Sequence, residues 1–367
     1  MKTSRLNTPF TNTSLSRRDF LRWTGAVGLA AVGLSLWPNS WSRSTMAAVM
    51  VEEIGGTIVQ PPQPSPSAGS SKASLFQSPL AYGFSLGGAQ PVEVFGFAGG
   101  EPIGRTLEGT GRADGRISKR IEGMQYRDIV FHYLPVPGAP INTWLTNSLK
   151  RTTQAVKGSI IVKERLSGYG SEVQFSGGFI RQIVFPEVDI GSAQQPAPLR
   201  ITMGIQRAEY HSTIMSPHTF VHIPFTSAPM QGFFDLSIQN IGIIPNVVRV
   251  ESPTFTTKLL PAPKGSGFQE AIPIDYSNLK FQLPEKLAGP FYAWHSDFVL
   301  KGKNDDKFET KGTLRWLSPK LTPTDKVKPV LTLDLEHLGI LSVVRLPANP
   351  GYVQVEMYCE QVVPTFI

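Results

Sequence analysis

Short apolar runs, broken repeatedly by glycine and proline, are the feature that most restricts the fold of this 367-residue chain. Beyond Leu75 the runs are rich in Val, Ile, Phe and Thr and recur about every eight to twelve residues, as strands joined by turns do. A strand needs only about five or six residues, so runs this short suit strands. The pattern predicts a mostly all-β fold. The predicted strands are residues 159–166, 180–185, 199–206, 234–239, 247–250 and 330–336.

Helix-forming segments are few by comparison. Residues 141–154 and 291–300 are the best candidates, because each follows a proline, Pro140 or Pro290, and proline suits the first turn of a helix. We therefore expect one short helix beside each group of strands.

The N-terminal segment carries two consecutive arginines followed by a hydrophobic pair, which is the pattern of a twin-arginine export signal. The residues that form it are Ser16, Arg17, Arg18, Phe20 and Leu21. Small residues up to Ala47 suit cleavage there, so we expect a signal peptide over residues 1–47 and export through the Tat translocase to a periplasmic or extracellular location. An uncleaved membrane anchor stays open, because the uncharged residues 23–41 nearly reach spanning length.

Charge and cysteine content exclude two further classes of protein. Residues 1–47 supply +5 of the formal net charge of +7, so the rest of the chain is too balanced to predict a nucleic-acid surface. The single cysteine, Cys359, excludes an internal disulfide and is expected to pack within a strand.

The chain repeats a set of turn and aromatic residues at an offset of 150 positions. The two sets, which we expect to be equivalent core positions, are Tyr126, Pro140, Trp144 and Tyr276, Pro290, Trp294. Further along, residues 178–181 parallel 312–315, and strand 199–206 parallels 330–336. After a Pro- and Ser-rich linker over residues 48–74, the repeat predicts two tandem β-domains, residues 75–215 and 216–367.

The order of segments in the first domain resembles the tail tube protein family of contractile-tailed phages, whose fold is shared by the tube of type VI secretion. The segments that carry the resemblance are residues 126–131, Trp144 with Leu145, and residues 158–162, 180–187 and 199–206. The resemblance implies two tail-tube-like β-barrel or β-sandwich domains, each with one short flanking helix. It also implies a homo-oligomer, such as a ring or trimer, joined through sheet edges, or binding to a tail-like assembly partner. Export is a departure from that family, whose tubes assemble in the cytoplasm.

Three histidines, His211, His218 and His222, lie within twelve residues and raise the question of a zinc or copper site. Pro217 and the β-branched residues around it favour an extended segment, and no zincin-like glutamate follows His218. We interpret the three as surface or interface histidines in the connection between the domains, and we predict no metal and no cofactor. A cofactor-loaded redox protein is a further alternative, and this cluster is the only feature of the sequence that supports it.

Other possible chemistry in the sequence is weaker. Residues 109–115 are glycine-rich but lack the spacing of a phosphate loop, so we expect a mobile loop within 99–123 that orders against a neighbouring subunit. The acidic groups Glu187 with Asp189, and Asp305 with Asp306 and Glu309, are expected on solvated hairpins.

These observations favour an exported structural protein without catalysis. The alternative is an exported β-sandwich enzyme or carbohydrate-binding module that acts on a polymer. Burial of Trp144 and Trp294 would favour the first, whereas a paired exposed platform would favour the second.

Overall fold

The computed structural model describes residues 80–111, 114–151, 155–165, 167, 169–192, 196–214, 219–221, 228–259, 271–318 and 328–367. Ala81–Ile367 forms one compact unit. The predicted signal peptide, the linker, the boundary near Ser216, His218 and His222 lie outside the described residues. The prediction of a mostly all-β fold is confirmed, because strands make up most of the described chain.

The N-terminal half, residues 80–214, contains a closed barrel. Its elements are β1 (Leu80–Leu86), β2 (Val92–Ala98), β3 (Pro102–Gly111), β4 (Ile117–Tyr126), β5 (Ile129–Tyr133), α1 (Pro140–Leu149), β6 (Val156–Glu164), β7 (Tyr169–Val184), β8 (Val188–Asp189), β9 (Leu199–Gly204) and β10 (Arg207–Ile214). Strands β7, β6, β1, β2, β5 and β9 follow one another, and β9 pairs with β7 to close a six-stranded barrel. Each of the six strands is thereby paired with two others of the barrel, and the long strand β7 continues past the part that pairs with β6.

The C-terminal half, residues 228–367, forms an eight-stranded sheet together with β8. Its elements are β11 (Phe234–Ile238), β12 (Gly242–Ile243), β13 (Arg249–Val250), β14 (Thr254–Leu259), β15 (Ala271–Tyr276), β16 (Leu279–Pro284), α2 (Gly289–His295), β17 (Thr310–Leu317), β18 (Pro329–Arg345) and β19 (Tyr352–Phe366). A π-helix over Ser296–Leu300 continues α2. The sheet order is β12-β11-β17-β18-β19-β16-β13-β8.

Strand order is the same in the two halves. The N-terminal half has β1-β6-β7-β9-β5-β2, and the C-terminal half has β11-β17-β18-β19-β16-β13. A register shift also falls at the same place, between Ile180 and Gln182 in β7 and between Ile340 and Ser342 in β18. The halves differ in closure. In the N-terminal half β1 pairs with β2, whereas the equivalent strands β11 and β13 do not pair with each other within the described ranges.

Helix α1 confirms the helix predicted after Pro140, although it ends at Leu149 rather than at residue 154. It buries one face, whose residues at helical spacing are Ile141, Trp144, Leu145 and Leu149. Burial of each large apolar side chain stabilises the fold by about 1.5–3 kcal/mol. The π-helix extends α2 to Leu300, where the second predicted helix ends.

A buried polar network fixes the start of α1. The Tyr133 hydroxyl donates to Asn142 Oδ1 at 2.8 Å and accepts from the Val136 N–H at 2.9 Å. Asn142 Nδ2 donates in turn to the Val136 carbonyl at 2.7 Å. Each polar group in the network therefore has a partner, as burial requires.

His132, beside Tyr133 on β5, is held neutral by its surroundings. Burial, and secondarily the positive charge of Arg200, lowers the pKa of His132 from 6.5 to about 4.

Two predictions made from sequence are wrong. Residues 178–181 lie in β7, the second strand of the β6–β7 hairpin, whereas residues 312–315 lie in β17, the first strand of the β17–β18 hairpin. Residues 199–206 contain β9, whose equivalent in the strand order is β19. Residues 330–336 lie in β18 and are therefore not its counterpart. Glycine and arginine recur in many strands, so these short matches did not identify the strand they belong to.

The segment 99–123, within which a mobile loop is predicted, forms most of a hairpin made by β3 and β4, with two shifts in register. Its strands pair from Pro102 with Tyr126 to Gly111 with Ile117. Main-chain pairing orders this segment even though few of its side chains are buried.

Candidate assembly surface

The C-terminal half docks a hairpin on the barrel of the N-terminal half. Thr254–Thr256 of β14 pairs antiparallel with Gln182–Val184 of β7. Beyond the paired strands, the Phe185 N–H donates to the Pro253 carbonyl at 2.8 Å. This pairing, termed the intrachain contact below, makes one nine-stranded sheet that runs across both halves.

The intrachain contact is packed like a core. Phe255 lies opposite Ile183, and both are fully buried. The ring of Phe255 also packs against Tyr276 of the same hairpin, with 5.9 Å between centroids. Phe255 therefore extends the row of buried side chains that Ile183 and Ile201 form across the paired strands.

A second pairing joins the halves beside the first. Strand β8 pairs with β13, with Asp189 opposite Arg249 and Val188 opposite Val250. The Arg249 guanidinium also forms an ion pair with Glu187. Of the predicted carboxylate pair, Glu187 therefore serves this junction, whereas the Asp189 carboxylate accepts locally from the Gly191 N–H at 2.8 Å.

The hairpin of the N-terminal half has no such partner in the described residues, where β3 and β4 make a separate two-stranded sheet. The base of this hairpin resembles the base of β14–β15. The Arg127 N–H donates to the Glu101 carbonyl at 3.0 Å, and in β14–β15 the Ser277 N–H donates to the Thr254 carbonyl at 2.8 Å. The apolar side chains of β3–β4 face solvent, with Ile121 74% and Met124 64% exposed. These exposed apolar groups are available for contact with another molecule.

The end of β18 is an open strand edge. Its pairing with β17 stops at Leu338, and within the described ranges Ser342–Val344 pairs only with β19. Val344 is 54% exposed, and Leu341 is exposed beside it. Unpaired edges with apolar side chains readily add a further strand.

The six repeat residues occupy similar places in the two halves. Tyr126 and Tyr276 end β4 and β15, and both pack against the core while staying partly exposed. Pro140 and Pro290 lie in the first turns of α1 and α2. Trp144 is buried and stacks on Phe84, whereas Trp294 is partly exposed.

A shallow cavity of about 490 Å³ opens beside Trp294. Trp294 and Phe298 meet edge to face at its wall, and Lys301 and Lys303 both bind Asp297 there. Of the acidic residues predicted nearby, Asp305 forms an ion pair with Lys307 at 3.1 Å.

One group of potential metal ligands is present in the described residues, and it differs from the predicted histidines. Glu309, His337 and Glu360 bring their ligand atoms within 4.8 Å of one another. Both Glu309 oxygens already have partners, the Tyr358 hydroxyl at 2.7 Å and His337 Nδ1 at 2.8 Å. His211, the one predicted histidine that is described, lies exposed on β10 opposite Glu172.

Cys359 is packed in β19, as expected, with its thiol directed at the Gln361 and Glu336 carbonyls. Burial raises the pKa of this thiol to about 11, so it stays protonated at neutral pH.

A family model of the twin-arginine translocation (TAT) pathway signal sequence matches residues 14–33. The predicted export signal is thereby confirmed, and it directs the protein by the twin-arginine route to the periplasm or beyond. Among curated proteins, none matches this chain. In the part of the chain that the structure describes, no helix is long and apolar enough to cross a membrane.

Solved structures with partial similarity include a tube-terminating cap and two Hcp proteins. The anti-feeding prophage cap, which terminates the AFP tube, is 16% identical with a TM-score of 0.30, over 40% of this chain and 97% of that one. The Hcp1 protein of the E. coli EAEC 042 pathovar is 12% identical with a TM-score of 0.25, over 36% and 89%. Another Hcp protein has the same identity and coverage and a TM-score of 0.23. All three TM-scores are below 0.5.

Proposed function

We propose that this chain is an exported structural protein that associates with further copies of itself through sheet edges and has no catalytic role. In this proposal residues 1–47 are removed on export, and residues 75–215 and 216–367 are tandem tail-tube-like domains. The identical strand order of the two halves supports the tandem arrangement.

One observation carries the proposal. The β3–β4 hairpin and the end of β18 both lack the partner that their counterparts, β14–β15 and β7, have in the intrachain contact. The molecule therefore displays both sides of a contact that it already makes once. A second copy can supply each missing partner.

Glycan binding is the second candidate, supported by the cavity beside Trp294. Trp144 is buried in the other half, so the two tryptophans do not form a paired platform.

The test is the mass of the purified mature protein, residues 48–367, by light scattering at several concentrations, with negative-stain microscopy. We expect the mass to rise with concentration to a multiple of the chain, with rings or filaments visible. A strict monomer at the highest concentration would contradict self-association, and binding to polysaccharides would then be measured.

A further inference from the structure

We propose that the base of β3 in one copy pairs with the end of β18 in the next copy, in the geometry of the intrachain contact. This inference rests on the proposed self-association and names the two segments that meet. The occupant of the β18 edge is a second copy of this chain, because the chain itself contains the matching hairpin with its outer edge unpaired in the described structure.

The position on β18 follows from its likeness to β7. The register shift between Ile180 and Gln182 has its counterpart between Ile340 and Ser342. The residues that follow the two shifts correspond one to one. The segment of β7 that pairs with β14, Gln182–Val184, therefore corresponds to Ser342–Val344.

The position on β3 follows in the same way from its partner strand. Pro102 lies opposite Tyr126 as Phe255 lies opposite Tyr276, and those tyrosines end β4 and β15. The matching hydrogen bonds of Glu101 and Thr254 lie one residue earlier in each strand. Residues 101–103 thus correspond to Thr254–Thr256.

These two correspondences set the register between copies. The intrachain contact places Thr254 opposite Val184 and Phe255 opposite Ile183. Between copies, Glu101 then lies opposite Val344, Pro102 opposite Val343 and Ile103 opposite Ser342.

The exposed surfaces fit this pairing. Ile183 is fully buried beneath Phe255, whereas its counterpart Val343 is partly exposed and gains cover from Pro102. Pro102 keeps a carbonyl acceptor but has no N–H, so the pairing has one donor fewer than its intrachain counterpart. The contact between copies is therefore weaker than the one within the chain.

The resulting assembly is head to tail. Each half contributes its hairpin to the half before it, alternately within a chain and between chains. Such a contact joins two different surfaces, so it gives a ring when its rotation closes and a filament when it does not.

Cysteine cross-linking tests the register. The variant Glu101→Cys with Val344→Cys, in a Cys359→Ser background, places two thiols opposite each other across antiparallel strands, at a separation that suits a disulfide. After mild oxidation of the mature protein we expect a ladder of covalent multimers on a non-reducing gel. Each single-cysteine variant should stay at the mass of one chain.

Two matched pairs serve as controls. Thr254→Cys with Val184→Cys reproduces the same geometry in the intrachain contact and should form a disulfide without a change in mass. Glu101→Cys with Val343→Cys moves one thiol to the opposite face of the strand and should not give the ladder.

The outcomes separate this inference from the proposed function. If the mature protein self-associates and the intrachain pair forms its disulfide, but Glu101→Cys with Val344→Cys gives no ladder, the pairing of β3 with β18 is wrong and self-association stands. An equal ladder from the Val343→Cys control would also overturn the register. If the protein is a strict monomer, both proposals fail.

Discussion

A charge placed at residue 344 should weaken assembly, by an amount that depends on its sign. Val344 is 54% exposed in the single chain. Full burial of a valine is worth about 1.5–3 kcal/mol, so covering the exposed part contributes about 1 kcal/mol. Val344→Glu and Val344→Lys both remove this contribution.

The residue opposite decides the difference between the two variants. In the proposed register Val344 faces Glu101, and a directly opposed pair of side chains contributes about 0.2–1 kcal/mol, favourable for unlike and unfavourable for like charges. We expect Val344→Glu to weaken self-association by about 1.5 kcal/mol and Val344→Lys by about 0.5 kcal/mol. That difference is about fivefold in Kd, since about 1.4 kcal/mol is tenfold.

The assay is the concentration dependence of mass by sedimentation at low salt, where charge effects are least screened. Glu101→Lys should restore the association of Val344→Glu, because it exchanges a like pair for an unlike one. Ile243→Glu is the control, since Ile243 is 69% exposed on β12, outside both proposed segments, and its replacement should leave the Kd unchanged. Equal losses for Glu and Lys at 344, or no rescue by Glu101→Lys, would refute the reasoning.

Three further predictions concern stability and export. The pKa of His132 is about 4 in the folded protein against 6.5 unfolded, so its stabilisation is complete above pH 6.5 and is lost as pH falls towards 4. Urea unfolding should show a loss of about 2 kcal/mol between pH 7 and pH 5 that His132→Gln removes; an unchanged pH dependence in the variant would contradict this. Tyr133→Phe leaves the Val136 N–H and Asn142 Oδ1 without partners and should lower the free energy of unfolding by about 1–3 kcal/mol, measured the same way; a neutral effect would argue against the network. Replacement of Arg17 and Arg18 by lysine should leave the precursor in the cytoplasm, shown by cell fractionation, and continued export would point to another route.

Local patterns predicted much of the fold. Runs of Val, Ile and Phe between turn residues identified strands because both properties depend on neighbours in sequence. The prolines at residues 140 and 290 indicated helix starts for the same reason, and α1 and α2 begin there. Which strands pair with each other depends on residues that are distant in sequence. The correspondences of residues 178–181 with 312–315 and of 199–206 with 330–336 were therefore wrong.

The assembly surface could be predicted only in part. A glycine- and arginine-rich segment predicted an element that meets a neighbour, but pairing of Pro102 with Tyr126 made it a hairpin rather than a loop. The open end of β18 was missed, because whether an edge is free depends on which strand lies beside it. The apolar run from Ile340 to Val344 was the available signal, since a strand with one solvent face should alternate with polar residues.

The intrachain contact also has a kinetic meaning for a protein that is exported already folded. Its two sides are tethered, and for short flexible linkers the effective concentration of one side about the other is about millimolar, however dilute the protein is. Every second junction of a head-to-tail assembly therefore exists before two molecules meet. In the proposed assembly, growth after export would need one encounter for every two halves added, because each molecule brings one junction already formed.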